Sequence, residues 1–245
     1  MDPASIVGVV GALSAVVAML YMEGAEITNI LLPPPMTLVF GGTILATMAS
    51  FTMRDFLYAF GQVPKAFTAK VPDATDAIDT IVSLSEKARR EGLLALEDAA
   101  KGIEDSFMRE GLMAAIDGMD PEDLRSMLTD RIEARKQSDK TAYAWFHVAG
   151  GYAPTIGVIG TVISLVHVLT QLSEPETLGP LIASAFVATL WGLLSANMIW
   201  LPISSRMQRI SNLELARMEI VMEGLISLQS GACLLYTSDA ADERS

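Results

Sequence analysis

The chain has 245 residues, 51% hydrophobic and 19% charged, with a formal net charge of −12 and a mean hydropathy of +0.39. That acidity argues against nucleic acid as a partner, and the absence of a Cys/His cluster, a nucleophile with a base, or a phosphate loop leaves an enzyme reading without support. The charge is segregated: all seventeen Lys and Arg residues fall in Arg54–Lys140 and Arg206–Arg244, and none in Met1–Met53 or Thr141–Ser205.

The bare stretches hold four apolar runs, about Ser5–Met22, Met36–Met53, Ala149–Leu172 and Leu178–Ile203. Each has roughly the ~17–25 residues that a helix needs to cross ~30 Å of hydrocarbon. None contains Asp, Glu, Lys or Arg, and the third contains His167. The first run lacks a basic n-region and leads through a tight turn into the second, so it reads as a span rather than a cleaved leader. The short connections Glu23–Pro35 and Ser173–Gly179 carry acids but no cation. Basic residues collect on the cytoplasmic side of membrane spans, so both connections read as external. Arg54–Lys140, with thirteen basic and eighteen acidic residues, reads as cytoplasmic, as do both termini.

The expected fold is an all-α integral membrane protein with four transmembrane helices and a large helical cytoplasmic loop between spans two and three. In that loop, Arg54–Lys70 mixes aromatic and basic residues and suits an interfacial helix. Val71-Pro72-Asp73 is a break, with Asp73 able to cap the next helix. Apolar residues Ile78, Ile81, Val82 and Leu84 or Ser85 predict a helix over 74–90. Gly92 interrupts, and Leu93–Ile103 and Phe107–Ile116 continue as helices. Asp117–Pro121 is a turn, where Asp120 and Pro121 begin a helix over Glu122–Lys140 that runs toward span three. The resulting divisions are 1–53 (spans one and two), 54–145 (cytoplasmic), 146–203 (spans three and four), 204–232 (a cytoplasmic helix) and 233–245. This last stretch contains CLLYTSDAADE, Cys233–Glu243, which resembles the translation of a transposon-based sequencing adapter. The one cysteine lies there, so no disulfide or metal site is implied.

The spans are rich in small residues: Gly8 and Gly11, Gly41 and Gly42, Gly150, Gly151, Gly157 and Gly160. Such residues let helices approach closely in lipid. Four helices rarely need this many close contacts among themselves, so the pattern reads as packing between copies, with packing inside one subunit as the alternative. Spans three and four add Thr155, Thr161, Ser164, Ser184, Thr189, Ser195 and Asn197. These polar groups either bond their own helix carbonyls or line a hydrated path. No carboxylate lies in any span, although a membrane ion route normally uses an ionisable relay. Either the chain carries no ion, or a partner brings the acid. Pro154 suits the first turn of span three, while Pro202 is expected to kink or end span four. Trp145 and Trp200 fall where an aromatic belt would lie.

Gly150–Thr161, together with Leu178-Gly179-Pro180 and Ala185–Gly192, resembles the third and fourth spans of MotA-type flagellar stator proteins. Pro202, thirteen residues after Thr189, and Gly41-Gly42-Thr43 fit the same family. The resemblance implies a homo-oligomer, a pentamer, around a MotB-type single-span partner that carries the ion-binding Asp. It implies a plasma (inner) membrane location, a FliG-type rotor switch protein as a second partner, and no cofactor beyond translocated protons or sodium. By the same resemblance Pro154 and Pro202 couple ion passage to conformational change, Thr189 faces the partner's Asp, and Thr161 bears on ion selectivity. Arg89, Arg90 and Glu97 match the rotor-facing charges; read from the residues alone they form a solvated helix face with Glu86–Arg90 pairing. Thr161 resembles sodium-driven members, whereas Ala188 stands where many of those have a second threonine, which tips the reading toward protons. The alternatives are an ExbB/TolQ-like proton-channel subunit, which has three spans, and a secondary transporter, which would have polar midplane sites in both halves.

Overall fold

The computed structural model describes residues 3–24, 26–68 and 74–230. The Val71-Pro72-Asp73 break and the 233–245 tail lie outside them. The described residues are helical and contain no strand: α1 Pro3–Met22, α2 Pro33–Met36, α3 Gly42–Ala49, α4 Met53–Thr68, α5 Ala74–Glu91, α6 Glu97–Lys101, α7 Ser106–Ile116, α8 Pro121–Thr170, α9 Pro175–Ser195 and α10 Leu201–Gln229. A π-turn, Thr37–Gly41, joins α2 to α3, and a second, Ala196–Trp200, joins α9 to α10. Two continuous helical stretches, Pro121–Thr170 and Pro175–Gln229, are long and apolar enough to cross a membrane.

The chain forms two compact units, Met1–Lys70 with Asp139–Arg209, and Val71–Ser138 with Ile210–Ser245. In the first, the core is aromatic. Trp145 and Phe146 on α8 are fully buried and meet Phe56 and Phe60 of α4 and Trp200 of the second π-turn. Trp145 is therefore a core residue at 0% exposure, and Trp200 is 7% exposed, rather than both forming a belt at the membrane surface. The helix expected over Arg54–Lys70 forms as α4, and its amphipathic pattern has a tertiary use. Ala59, Phe56 and Phe60 pack on the aromatic core, while Met53 and Leu57 stay about 60% exposed. By packing, α4 belongs with the apolar helices. Trp191 on α9 donates its indole N–H to the Ile30 carbonyl at 2.6 Å, which ties the 26–32 connection to α9, and its ring lies tilted against Phe40 with centroids 5.7 Å apart.

The second unit has an aliphatic core. Ala77, Ile81 and Leu84 of α5, Leu96, Met108 and Leu112, Leu124 and Leu128 of α8, and Val221 and Leu225 of α10 are all within 5% of complete burial. The helical spacing in α5 was legible, but its buried edge is Ala77-Ile81-Leu84, and Val82 is exposed. Gly92 interrupts as expected, at φ +86°, a conformation open to glycine without cost. Gly118 does the same at φ +81° in the turn before α8, where Asp120 Oδ1 accepts from Glu122 N–H at 2.9 Å.

Ion pairs join separate elements here: Arg125–Glu223, Arg131–Glu110, Arg135–Glu214 and Arg217–Asp105. The Glu223 carboxylate, hydrogen-bonded and opposite in charge, raises the Arg125 pKa further. Exposed pairs contribute little. Arg217–Asp105, at 2.6 Å, is the more buried, and Asp105 also caps α7 by accepting from Phe107 and Met108 N–H. Asp105→Ala is therefore expected to cost about 1–3 kcal/mol, the loss of a cap plus a half-buried cation left without its carboxylate. Asp105→Asn keeps the cap and is expected to cost less. Thermal unfolding of the two variants checks the order.

Candidate functional site

The site begins at a helix crossing. A Cβ on Gly157 of α8 would lie 2.8 Å from the Ala188 carbonyl and 3.1 Å from Gly192 Cα, and one on Gly192 of α9 would lie 2.8 Å from the Ala153 carbonyl. The two backbones touch, which only small residues allow. Gly160 extends the contact, with Ala188 Cβ and Leu38 where its own Cβ would be.

One turn along, this crossing brings Thr161 against Thr189, whose hydroxyls hydrogen-bond to each other. Thr161 also reaches the Ala185 carbonyl at 3.0 Å and the Gly157 carbonyl at 3.2 Å. A hydroxyl has one hydrogen and two lone pairs. Carbonyls only accept, so the arrangement that satisfies most groups has Thr161 donating to a carbonyl and Thr189 donating to Thr161. Thr189 then keeps its lone pairs open for an incoming donor or cation. Three of the other polar residues behave differently. Thr155 donates to Tyr152, Ser195 to Gly192 and Asn197 to Leu193, each on its own helix. Of the hydroxyls singled out from the sequence, Thr161 and Thr189 form the cross-helix pair.

The prolines depart from expectation. Pro154 lies deep inside α8, not in a first turn. The expected boundary vanishes because Thr141–His147 is continuous helix whose Trp145 and Phe146 pack in the core. Pro154 has no N–H for the Gly150 carbonyl. At Gly150 the space a Cβ would fill is occupied by Leu201 Cδ2, 2.6 Å from that position. Pro202, the residue after Leu201, does not end its helix. The π-turn Ala196–Trp200 widens the backbone just ahead of it, the kind of local adjustment that makes room for a proline ring. The Gly150–Leu201 contact thus brings together the segments that hold the two prolines.

Arg89, Arg90 and Glu97 belong to the second unit, on either side of Gly92. All three are exposed. Among the described residues, no Glu86–Arg90 ion pair forms, and Glu97 sits 3.7 Å from Lys101. Lys101 also bonds Asp98 at 3.0 Å and holds that exposed carboxyl below its ordinary pKa. The charges therefore line one turn but do not pair across it. The backbone contact of Gly157 with Gly192 and the Ala185 acceptor were not legible from the sequence. Clusters of small residues signalled close packing without naming the partners.

The motility protein A N-terminal family matches residues 6–92, and the MotA/TolQ/ExbB proton channel family matches residues 99–220. Motility protein A of Bacillus subtilis (strain 168) is 32% identical over 94% of this chain and 86% of its own length. The uncharacterized protein YtxD of the same organism is 37% identical over 79% of this chain and 71% of its own. The solved flagellar MotAB stator complex from Bacillus subtilis superposes with a TM-score of 0.87 at 31% identity, over 94% of this chain and 91% of that one. All-helical fold, touching apolar helices and matched residues together define a channel-family subunit. The chain belongs to the motility protein A family.

Proposed function

We propose that this chain is the ring-forming subunit of a flagellar stator, which with a MotB-type partner couples ion flow to torque on the rotor. The observation that carries the reading is the Thr161–Thr189 pair, set between two long apolar helices that hold no carboxylate in their apolar runs. Such a wall is neutral and offers hydroxyl oxygens, so the acid that carries the ion comes from the partner. Once that carboxylate takes up a proton or sodium ion, its charge is cancelled, and a neutral group passes an apolar surface far more cheaply than a charged one. The membrane potential supplies ~2.3 kcal/mol per charge per 100 mV.

In this reading residues 5–22, 36–53, 149–172 and 178–203 are four spans, with both termini and 54–145 cytoplasmic. Five copies surround the partner, Pro154 and Pro202 transmit the ion-driven change, and Arg89, Arg90 and Glu97 face a FliG-type rotor protein. The match of residues 6–92 to a motility family favours the stator over an ExbB/TolQ-like subunit.

Thr189→Val tests the site. It keeps the shape, removes the donor to Thr161 and removes the free lone pairs. Ion flux through the assembled complex is expected to fall about tenfold or more, the worth of one lost buried hydrogen bond, with assembly intact. Thr189→Ser is expected to retain flux. Unchanged swimming and flux in Thr189→Val would refute the assignment. The ion is read separately: swimming speed that is flat across sodium concentration marks protons, and a steep rise marks sodium.

A further inference from the structure

Leu94 is the most exposed large apolar side chain among the described residues of its unit, at 76% against 40% for Val82. Its neighbours do the opposite: Leu96 is fully buried, and Leu93 packs against the same core. The protrusion is built rather than loose. Gly92 N–H closes α5 on the Ala88 carbonyl at 2.8 Å, Gly92 turns the chain at φ +86°, and Ala95 N–H returns to the Gly92 carbonyl at 3.2 Å. Those bonds fix a one-turn 3-10 segment, Leu93–Leu96, that must send one leucine outward while two point in.

The surroundings are charged in an ordered way. Before the turn come Arg89 and Arg90, exposed and free of ion pairs among the described residues; after it come Glu97 and Asp98, which share Lys101. An apolar knob between a cationic and an anionic flank has the anatomy of a protein contact, an anchor residue inside a polar rim. A lipid surface would call for cations throughout and no anionic flank.

We infer that Leu94 is the apolar anchor of the rotor-facing surface, seated in an apolar pocket of the rotor protein whose rim presents acids toward Arg89 and Arg90 and a base toward Glu97. The inference rests on the stator reading and adds a residue whose contribution is burial rather than charge. Burying one leucine is worth on the order of 10–100-fold in affinity.

The test uses the full chain with its MotB-type partner in flagellated cells that lack their own stator, comparing Leu94→Asp with Leu94→Met. Leu94→Asp is expected to lower stator recruitment to motors about tenfold or more, with ion conduction by the complex unchanged. Leu94→Met is expected to recruit normally. A photo-crosslinking residue at position 94 is expected to capture a rotor protein. Normal recruitment by Leu94→Asp, loss of conduction together with recruitment, or crosslinks to lipid or to a second copy of this chain would each overturn the inference. Ion conduction by the unsubstituted complex, measured in the same cells, tests the stator reading by itself.

Discussion

Gly157→Val is expected to abolish motility. A valine Cβ would enter space held by the Ala188 carbonyl and by Gly192 Cα, both of which are backbone. No rotamer change relieves that, so α8 and α9 must part. Overpacking costs typically about 1–3 kcal/mol even where side chains can yield, and here they cannot. The separation also breaks the geometry one turn away. A hydrogen bond fades beyond about 3.5 Å, so moving either helix by an ångström or more disconnects Thr189 from Thr161. Gly151→Ala is the control, because nothing lies within 4 Å of the position its Cβ would take. Membrane abundance, ion flux and swimming measured for both variants separate a general effect of losing glycine from loss of the crossing. A Gly157→Val protein that swims normally would show that the crossing does not set the site.

Trp145→Ala is expected to be the most destabilising side-chain truncation in the first unit. The side chain is fully buried and touches the rings of Phe56, Phe60, Phe146 and Trp200, with centroids 4.9–6.1 Å away. Truncating a buried tryptophan costs about 3–5 kcal/mol through lost contacts and the cavity left behind. The effect should concentrate at α4, whose Phe56 and Phe60 both lean on this ring. Trp145→Phe separates size from polarity. The indole N–H of Trp145 is buried without a hydrogen-bond partner among the described residues, and such a group carries a penalty of about 1–3 kcal/mol. Phenylalanine removes that donor while filling much of the space, so its net cost is expected to be well below that of alanine. Thermal unfolding of the detergent-solubilised protein, followed by helical circular dichroism, distinguishes the two. Equal losses for Phe and Ala would mean that the ring contacts do not hold α4.

The elements were legible wherever their cause was local. Helix-spaced apolar residues gave α5 and α7, Asp120-Pro121 gave the start of α8, and Gly92 gave an interruption, because each depends on neighbours within a turn or two. The class was legible from charge, since the cost of carrying Lys and Arg through hydrocarbon leaves its mark on composition. Thr161 and Thr189 entered through resemblance to a family; the spacing of the residues alone did not single them out from five other polar groups. Their contact comes from the register of two helices, and that register is set by where Gly157 and Gly192 meet. Nothing within either helix specifies which glycine faces which.

The sequence by itself determined an all-helical, charge-segregated chain with small-residue helices and no acid in its apolar runs. Only the tertiary structure decided that Pro154 sits inside an unbroken α8, that Pro202 follows a π-turn instead of ending its helix, and that Thr161 meets Thr189 while Thr155, Ser195 and Asn197 bond their own helices. It also decided that Leu94 points outward as Leu96 points in. The reason is one of range. Periodicity, capping and solvation act along the chain, whereas proline tolerance, helix register and the choice of which leucine is buried depend on what a distant segment places alongside.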